Sequence, residues 1–522
     1  MMPEKQNEKA GHTATEANIA RIESPDAPTD QQEVQRSEEQ LTLHGPQLWT
    51  LIAGLYLGLY LLALELTMLS TVIPTLTSEF HTVSDISWYE AAYVVTLCVF
   101  IPLVGRLYEQ LPVKHVYLAF MLVFEAGLVI CATATTSSMF IVGRAVNGLG
   151  SSVQFSGTML MLGAACPAKT RPLVTAAAVS MISAGAGASF WMLLPMGGVI
   201  IVLLLLMRLP EPSNKPPVLQ ALKELPARID LLGFVQFAGA ITMLLLALTW
   251  GGSTLSWSSP TIIGLLCGGF GLLVAFGFWI RHKNEGALIT PACLRQRSIC
   301  VGGLVVCLQG GASQAVPFYL PLWFQAIKGD DPSASAVHLL PSLVTMVVAL
   351  ITFGALVRKF QRVPPWAIVG SDPRWATGSG IRSSQASVVA FPFKRQVAQP
   401  PQRPVEFVPA ARLAMSMSVI SLFMQLGIAV SVSASQTIFA NQLPGLLHEH
   451  APNLNVTMVQ EAGAAGARNA ISAQEMPGFL TAYNQAVTEM FYFPMAACAL
   501  AAVISFGLEW KKIGGKDKDD DG

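Results

Sequence analysis

The chain is a succession of apolar runs, each close to the length of a membrane-spanning helix, separated by short polar or basic loops. A helix rises about 1.5 Å per residue, so about 20 mostly apolar residues are needed to cross the hydrocarbon core of a bilayer. Such runs occupy residues 48–73, 87–105, 115–135, 139–162, 172–189, 190–207, 231–250, 260–280, 299–324, 335–357, 411–437 and 486–509. In lipid a single apolar segment must pair its own backbone N–H and C=O groups, which requires each run to be a helix. The expected fold class is therefore an all-α polytopic membrane protein with about twelve spans. Only 12% of the residues are charged, against roughly 25% in a soluble domain.

The loops orient the spans. Lys and Arg collect in cytoplasmic loops, and they alternate here: Arg106 with Lys114, Lys169 with Arg171, Arg208 to Arg228, Arg281 to Arg297, then Arg358 to Arg362. The intervening "TSEFHTVSDI", "TATTSSM" and "GGSTLSWSSP" carry no Lys or Arg, although Lys328 is an exception. Both termini are expected in the cytoplasm. The expected organisation is a disordered tail (1–46), a first bundle (47–208), a cytoplasmic linker (209–230), two additional central spans (231–280) and the start of a second bundle (281–370). A polar cytoplasmic segment (371–410), two last spans (411–512) around an external loop at 441–484, and a charged tail (513–522) follow. Because no short apolar stretch with a cleavage site precedes the first long run, that run is expected to direct insertion itself.

Two stretches resist this pattern. No charge separates Arg171 from Arg208, so two crossings must fit into a barely sufficient length. Between residues 371 and 412 lie Arg374, Arg382, Lys394, Arg395, Arg403 and Arg412, each costing about 2.5–3.5 kcal/mol at the bilayer centre, so that stretch does not span.

Several chemistries are disfavoured. Basic and acidic residues are equal in number, 32 each, which points to no nucleic-acid partner. No cofactor is indicated: there is no CxxC pair and no Gly-rich phosphate cradle, and His448 with His450 form a pair lacking further metal ligands. An integral-membrane enzyme would need His, Asp or Ser groupings that the scattered histidines do not supply. "NVT" at Asn455–Thr457 is a possible glycosylation acceptor on the external loop.

Ionisable groups inside spans are expensive and therefore candidates for function. Glu65 in the first run, Glu125 in "LVFEAGLVI" and Arg144 in "IVGRAVNGLGSS" are such groups. A buried carboxyl can exchange a proton near neutral pH, which suits Glu65 and Glu125 to proton coupling; pairing with a basic group, or an interfacial carboxylate that only caps packing, is the alternative. Gln309, Gln314, Tyr319, Trp323 and Gln425 offer hydrogen bonds and ring faces to an amphipathic organic molecule, although Tyr and Trp also gather at membrane interfaces without a ligand.

Taken together, the local motifs resemble the major facilitator superfamily, specifically its fungal drug:proton antiporter branch with 14 spans. "LYLGLYLLALELTMLSTVIPTLTSEF", "GRLYEQLPVKHVYL", "IVGRAVNGLGSS", "YLPLWFQAIKG", "LLPSLVTMV" and "AYNQAVTEMFY" with "LEWKK" carry the resemblance, over about 47–370 and 411–512. It implies two pseudo-symmetric helix bundles with substrate between them near the midplane and alternating access. It also implies a gating hinge at Gly105, Glu109 and Lys114, a proton-transfer role for Arg144, and a place for Asn147 beside the substrate cavity. The implied activity is proton-coupled efflux of small apolar organic compounds by a monomer in the plasma membrane, with the vacuolar membrane as the alternative. "AGAGASFWMLLPMGGVIIV" departs from the branch by compressing the fifth-helix motif. Residues 371–410 stand where most of an eleventh and all of a twelfth helix would be, and resemble a reading-frame slip or retained intron more than an evolved loop. A degenerate relative or misassembled coding sequence without transport activity is the alternative.

Overall fold

The computed structural model describes residues 45–80, 85–166, 190–207, 228–252, 255–330, 413–454 and 471–508, with a few single positions between them. The runs at 172–189 and 335–357, the segment 371–410, the two tails and Asn455 lie outside the described residues.

Thirteen α-helices are described. The first group comprises α1 (Pro46–Phe80), α2 (Ile86–Gln110), α3 (Val113–Ala132), α4 (Ser137–Ser151), α5 (Gln154–Ala165) and α6 (Phe190–Leu206). Next come α7 (Leu231–Trp250), α8 (Pro260–Lys283) and the short α9 (Pro291–Arg295). The last group is α10 (Arg297–Trp323), α11 (Leu413–His450), α12 (Met476–Met490) and α13 (Tyr492–Ser505). Among the described residues seven helical stretches are long and apolar enough to cross a membrane, and two shorter apolar helices accompany them.

Local chemistry explains the boundaries. The Asp230 carboxylate accepts the Gly233 N–H at 3.1 Å and caps α7. Pro260 opens α8, and Arg281, His282 and Lys283 close it where the carbonyls carry negative potential. Thr136 caps α4 by accepting the Met139 N–H.

Several boundaries differ from the sequence reading, and α1 runs on to Phe80 beyond the expected residue 73. The run 139–162 is broken at Ser152 and Val153, because the Ser151 hydroxyl donates to the Asn147 carbonyl (3.0 Å) and the Ser152 hydroxyl to the Leu149 carbonyl (2.7 Å), competing with the helical ladder. The stretch 441–484, expected as a loop, is helical at both ends. Its polar "ANQLPGLLHEH" continues α11 because Leu443, Leu446 and Leu447 are buried on one face, and α12 starts ten residues before the expected 486. The last span is also interrupted, at Phe491, where Pro494 supplies no N–H to the turn before it.

Three apolar clusters hold the fold. One joins α1 to α6, one joins the end of α10 with α11 and α12, and one joins α2 with α7, α8 and the start of α11. Lipid tails are as apolar as leucine, so helices associate in a membrane by close packing at small residues. A Cβ on Gly127 would meet the Asn147 backbone, and one on Gly150 would meet that of Phe124, which locks α3 against α4. Gly427 does the same between α11 and α10, where a Cβ would collide with the Cys307 carbonyl. Outward, Phe270, Val274 and Phe278 on α8 and Val202, Leu205 and Leu206 on α6 are exposed, as lipid-facing residues are.

Gly427→Val should therefore force α10 from α11 and cost about 1–3 kcal/mol. Gly264→Val on α8, where a Cβ meets nothing within 4 Å, should be neutral. Melting curves of the two variants in detergent check the contrast.

Candidate functional site

Arg144 is the most demanding side chain in the first bundle, since it carries a charge at 1% exposure. Gly148 lets α4 approach the Tyr93 carbonyl and Thr96 of α2, which brings the guanidinium among three helices. It forms an ion pair with Glu65 of α1, itself 0% exposed. Its Nε donates to the Tyr89 carbonyl at 2.8 Å, and its Cζ lies 4.5 Å from the Tyr93 ring centroid. The aromatic face attracts a cation when both are desolvated.

Those partners are themselves fixed. The Tyr93 hydroxyl donates to Ser151 at 3.0 Å, and Ser151 passes its own proton donor back to the Asn147 carbonyl. Tyr89 sets its ring edge against Phe140 with centroids 5.1 Å apart, and its hydroxyl donates to Ser137. Two buried polar atoms here have no hydrogen-bond partner among the described residues: Glu65 Oε2 and Asn147 Nδ2. Glu65, Arg144 and Asn147, named from sequence, are thus gathered in one place.

Gly105, Glu109 and Lys114 cluster at the far end of α2. A Cβ on Gly105 would lie 2.9 Å from Ser418 and 3.3 Å from the Met415 sulfur, so α2 and α11 touch there. Glu109 accepts from Arg106 at 2.7 Å. Arg106 also donates to the Glu285 carbonyl at 2.6 Å and to the Ala287 carbonyl through Nε at 2.9 Å, gripping the turn that follows α8. Lys114 donates to the Leu205 and Met207 carbonyls at the end of α6, where a cation satisfies the last orphan acceptors.

The remaining candidates are dispersed. Glu125 stands half-buried between α3 and α6, opposite Gly197, and its Oε1 has no hydrogen-bond partner among the described residues. Gln309 and Gln425 are nearly buried on α10 and α11. Tyr319 and Trp323, named as cavity candidates with a structural role as the alternative, are buried. The Trp323 indole, at 0% exposure, donates to Asn484 at 2.8 Å, and the Tyr319 hydroxyl donates to the Val432 carbonyl at 3.0 Å. The side chain of Gln314 lies outside the described residues. His448 and His450 fall in the last turn of α11.

Sequence reasoning missed Tyr93, Arg106, Asp230 and Glu90. Asp230 accepts from the Trp279 indole and the Leu288 N–H, both at 3.0 Å, with Lys283 at 3.5 Å, so it holds α7, α8 and the following turn together. Its place immediately before an apolar run was a readable cap signal. The i, i+4 spacing of Tyr89 and Tyr93, with a carboxylate between them, was a readable signal as well.

Residues 55–371 match the Major Facilitator Superfamily. The chain is 31% identical to the efflux pump mlcE of Penicillium citrinum over 95% of this chain and 96% of that one. It is 32% identical to the MFS-type efflux pump MFS1 of Trichophyton rubrum over 90% and 93% of the two chains. Its fold is similar to that of the proton:xylose symporter XylE, with a TM-score of 0.51 at 12% identity, over 89% of this chain and 98% of that one. The chain belongs to the Major Facilitator Superfamily and is a membrane transporter.

Removing either partner of a buried ion pair strands the other charge, at about 3–5 kcal/mol, whereas removing both can be nearly neutral. Glu65→Gln and Arg144→Met should each lower the melting temperature sharply, and the double variant should recover most of the loss. A thermal double-mutant cycle in detergent reads the coupling directly.

Proposed function

We propose that this transporter exports small, largely apolar organic compounds in exchange for protons, by alternating access as a monomer in the plasma membrane. The efflux pumps of Penicillium citrinum and Trichophyton rubrum to which it is similar support the direction of transport. The observation that carries the coupling is the Glu65–Arg144 pair, sealed from solvent, with Glu65 Oε2 unpartnered among the described residues.

The chemistry follows from that geometry. A proton added to Glu65 cancels its charge and removes an attraction of about 4 kcal/mol at an effective dielectric of 20. Arg144 then retains only the Tyr89 carbonyl and the Tyr93 ring among its named contacts, so α1 loses its electrostatic hold on α4 and α2. Because α2 also carries Gly105 and Arg106, a shift at the ion pair can be passed along one continuous helix, through the weak point at Pro102, to the inter-bundle contact. The basic loops assign the Gly105 end to the cytoplasm. On this reading the described conformation is shut on the cytoplasmic side, and substrate is released outward. No step makes or breaks a covalent bond in the transported compound.

Reconstituted in proteoliposomes with a pH gradient, the protein should accumulate Nile Red or rhodamine 6G, and a protonophore should collapse the accumulation. Accumulation of neither dye, or accumulation indifferent to the gradient, overturns the proposal and favours the non-transporting alternative. Glu65→Gln should lose gradient-driven accumulation at temperatures where it remains folded. In a background lacking the eight cysteines, Ser418→Cys should react slowly with a thiol reagent, and adding Gly105→Val should speed the reaction severalfold by parting α2 from α11.

A further inference from the structure

Glu90 lies on α2 and plays no part in the ion pair. The residues on either side of it, Tyr89 and Ala91, are buried, whereas Glu90 is exposed. Its direction follows from its neighbours. Trp88 sets its ring edge against Trp250 of α7 with centroids 5.1 Å apart, and Tyr89 and Tyr93 face α4. Glu90 shares instead the stripe of Val94, Leu97, Ile101 and Gly105, spaced i, i+4, i+7, i+11 and i+15 on one helix face.

That stripe is the one that meets the second bundle. Gly105 abuts Ser418 and Met415, and Leu97 and Ile101 are buried in a cluster with Val419 and Leu422 of α11. At the other end, Glu90 is within electrostatic reach of Tyr319, whose hydroxyl is bonded to the Val432 carbonyl. Fifteen residues of α2 and fourteen of α11 both rise about 21–22 Å at 1.5 Å per residue, so the two helices run antiparallel with Glu90 and Val432 at one height. The stripe is shut at Gly105 and open to solvent at Glu90, which places this carboxylate in the gap between the bundles.

Among the described residues no ion pair compensates the charge there. Glu90 is also within electrostatic reach of Arg144, but Arg144 is paired with Glu65, and those two charges cancel. Glu90 makes no ion pair among the described residues. A lone carboxylate between low-dielectric walls concentrates negative potential and raises the local concentration of cations.

We infer that Glu90 is the specificity-determining residue of the inter-bundle gap and selects substrates carrying a positive charge, such as a protonated amine on an otherwise apolar body. This rests on the transporter reading, and its test is a binding measurement without a gradient. Tetraphenylphosphonium and tetraphenylborate have nearly the same shape and opposite charge. Purified protein should bind the phosphonium at least about tenfold more tightly than the borate. Glu90→Gln should bring that ratio close to one, and Glu90→Asp should keep most of it, which separates lost charge from lost fold. No measurable phosphonium binding, no preference in the unaltered protein, or an unchanged ratio in Glu90→Gln overturns the inference. No preference in the unaltered protein alongside intact gradient-driven accumulation overturns this inference alone; an intact preference without accumulation overturns only the transport reading.

Discussion

A guanidinium held away from water requires its whole surroundings to be arranged around it, and Arg144 imposes that requirement on three helices at once. α1 supplies the countercharge through Glu65, α2 supplies a carbonyl and a ring face through Tyr89 and Tyr93, and α4 supplies the cation. The desolvation cost of each ion is several kcal/mol, so the arrangement persists only if all three are in place together. Close packing makes this possible: Gly148 admits the Tyr93 carbonyl, and Gly127 and Gly150 bring α3 against the other side of α4. The polar centre and the glycine contacts are one device, since a wider helix separation would leave the guanidinium short of its partners.

α2 joins this centre to the rest of the molecule. Near its start it holds Arg144; near its end it presses Gly105 against α11, and Arg106 grips the turn after α8. Asp230 holds that turn from its other side through the Leu288 N–H. α2 meets α11 directly at the Gly105 end, while at its other end Trp88 packs against Trp250 of α7 and the Thr437 hydroxyl of α11 donates to the Gly251 carbonyl that follows α7. Among the described residues the direct contact of α2 with α11 thus lies at one end, and at the other the two helices are joined through α7.

The helices were legible because lipid solvation leaves a chain little choice, and α7 matched its expected run residue for residue, between the Asp230 cap and Gly251. Breaks and extensions were less legible. Ser151 and Ser152 interrupt a run whose hydropathy is continuous, because the competition is between hydroxyls and carbonyls and leaves no mark on apolarity. The end of α11 read as a loop because its polar residues outnumber its leucines, although three leucines on one face suffice once α12 covers them. In the site, Glu65 and Arg144 stood out by the cost of burying charge, but their mutual pairing depended on a helix arrangement that no local pattern encodes. Trp323 and Tyr319 were ambiguous for the same reason: an aromatic residue with a polar edge suits a cavity wall or a packed core equally well, and their bonds to Asn484 and Val432 come from the helix arrangement.

Two carboxylates near one guanidinium divide the work between them by solvation. Glu65 is sealed, so its charge is balanced by Arg144 and is out of reach of a bulky molecule. Only a proton is small enough to alter it. Glu90 is exposed on α2, where the proposed cationic substrate would meet it. Under the proposed exchange, a cation drawn to Glu90 would also come near Arg144, and repulsion between the two would favour the state in which Arg144 is held by Glu65. Protonating Glu65 would remove that hold and favour departure of the cation. Proton and cationic substrate would then be antagonists through a shared neighbour, which is what exchanging one against the other requires.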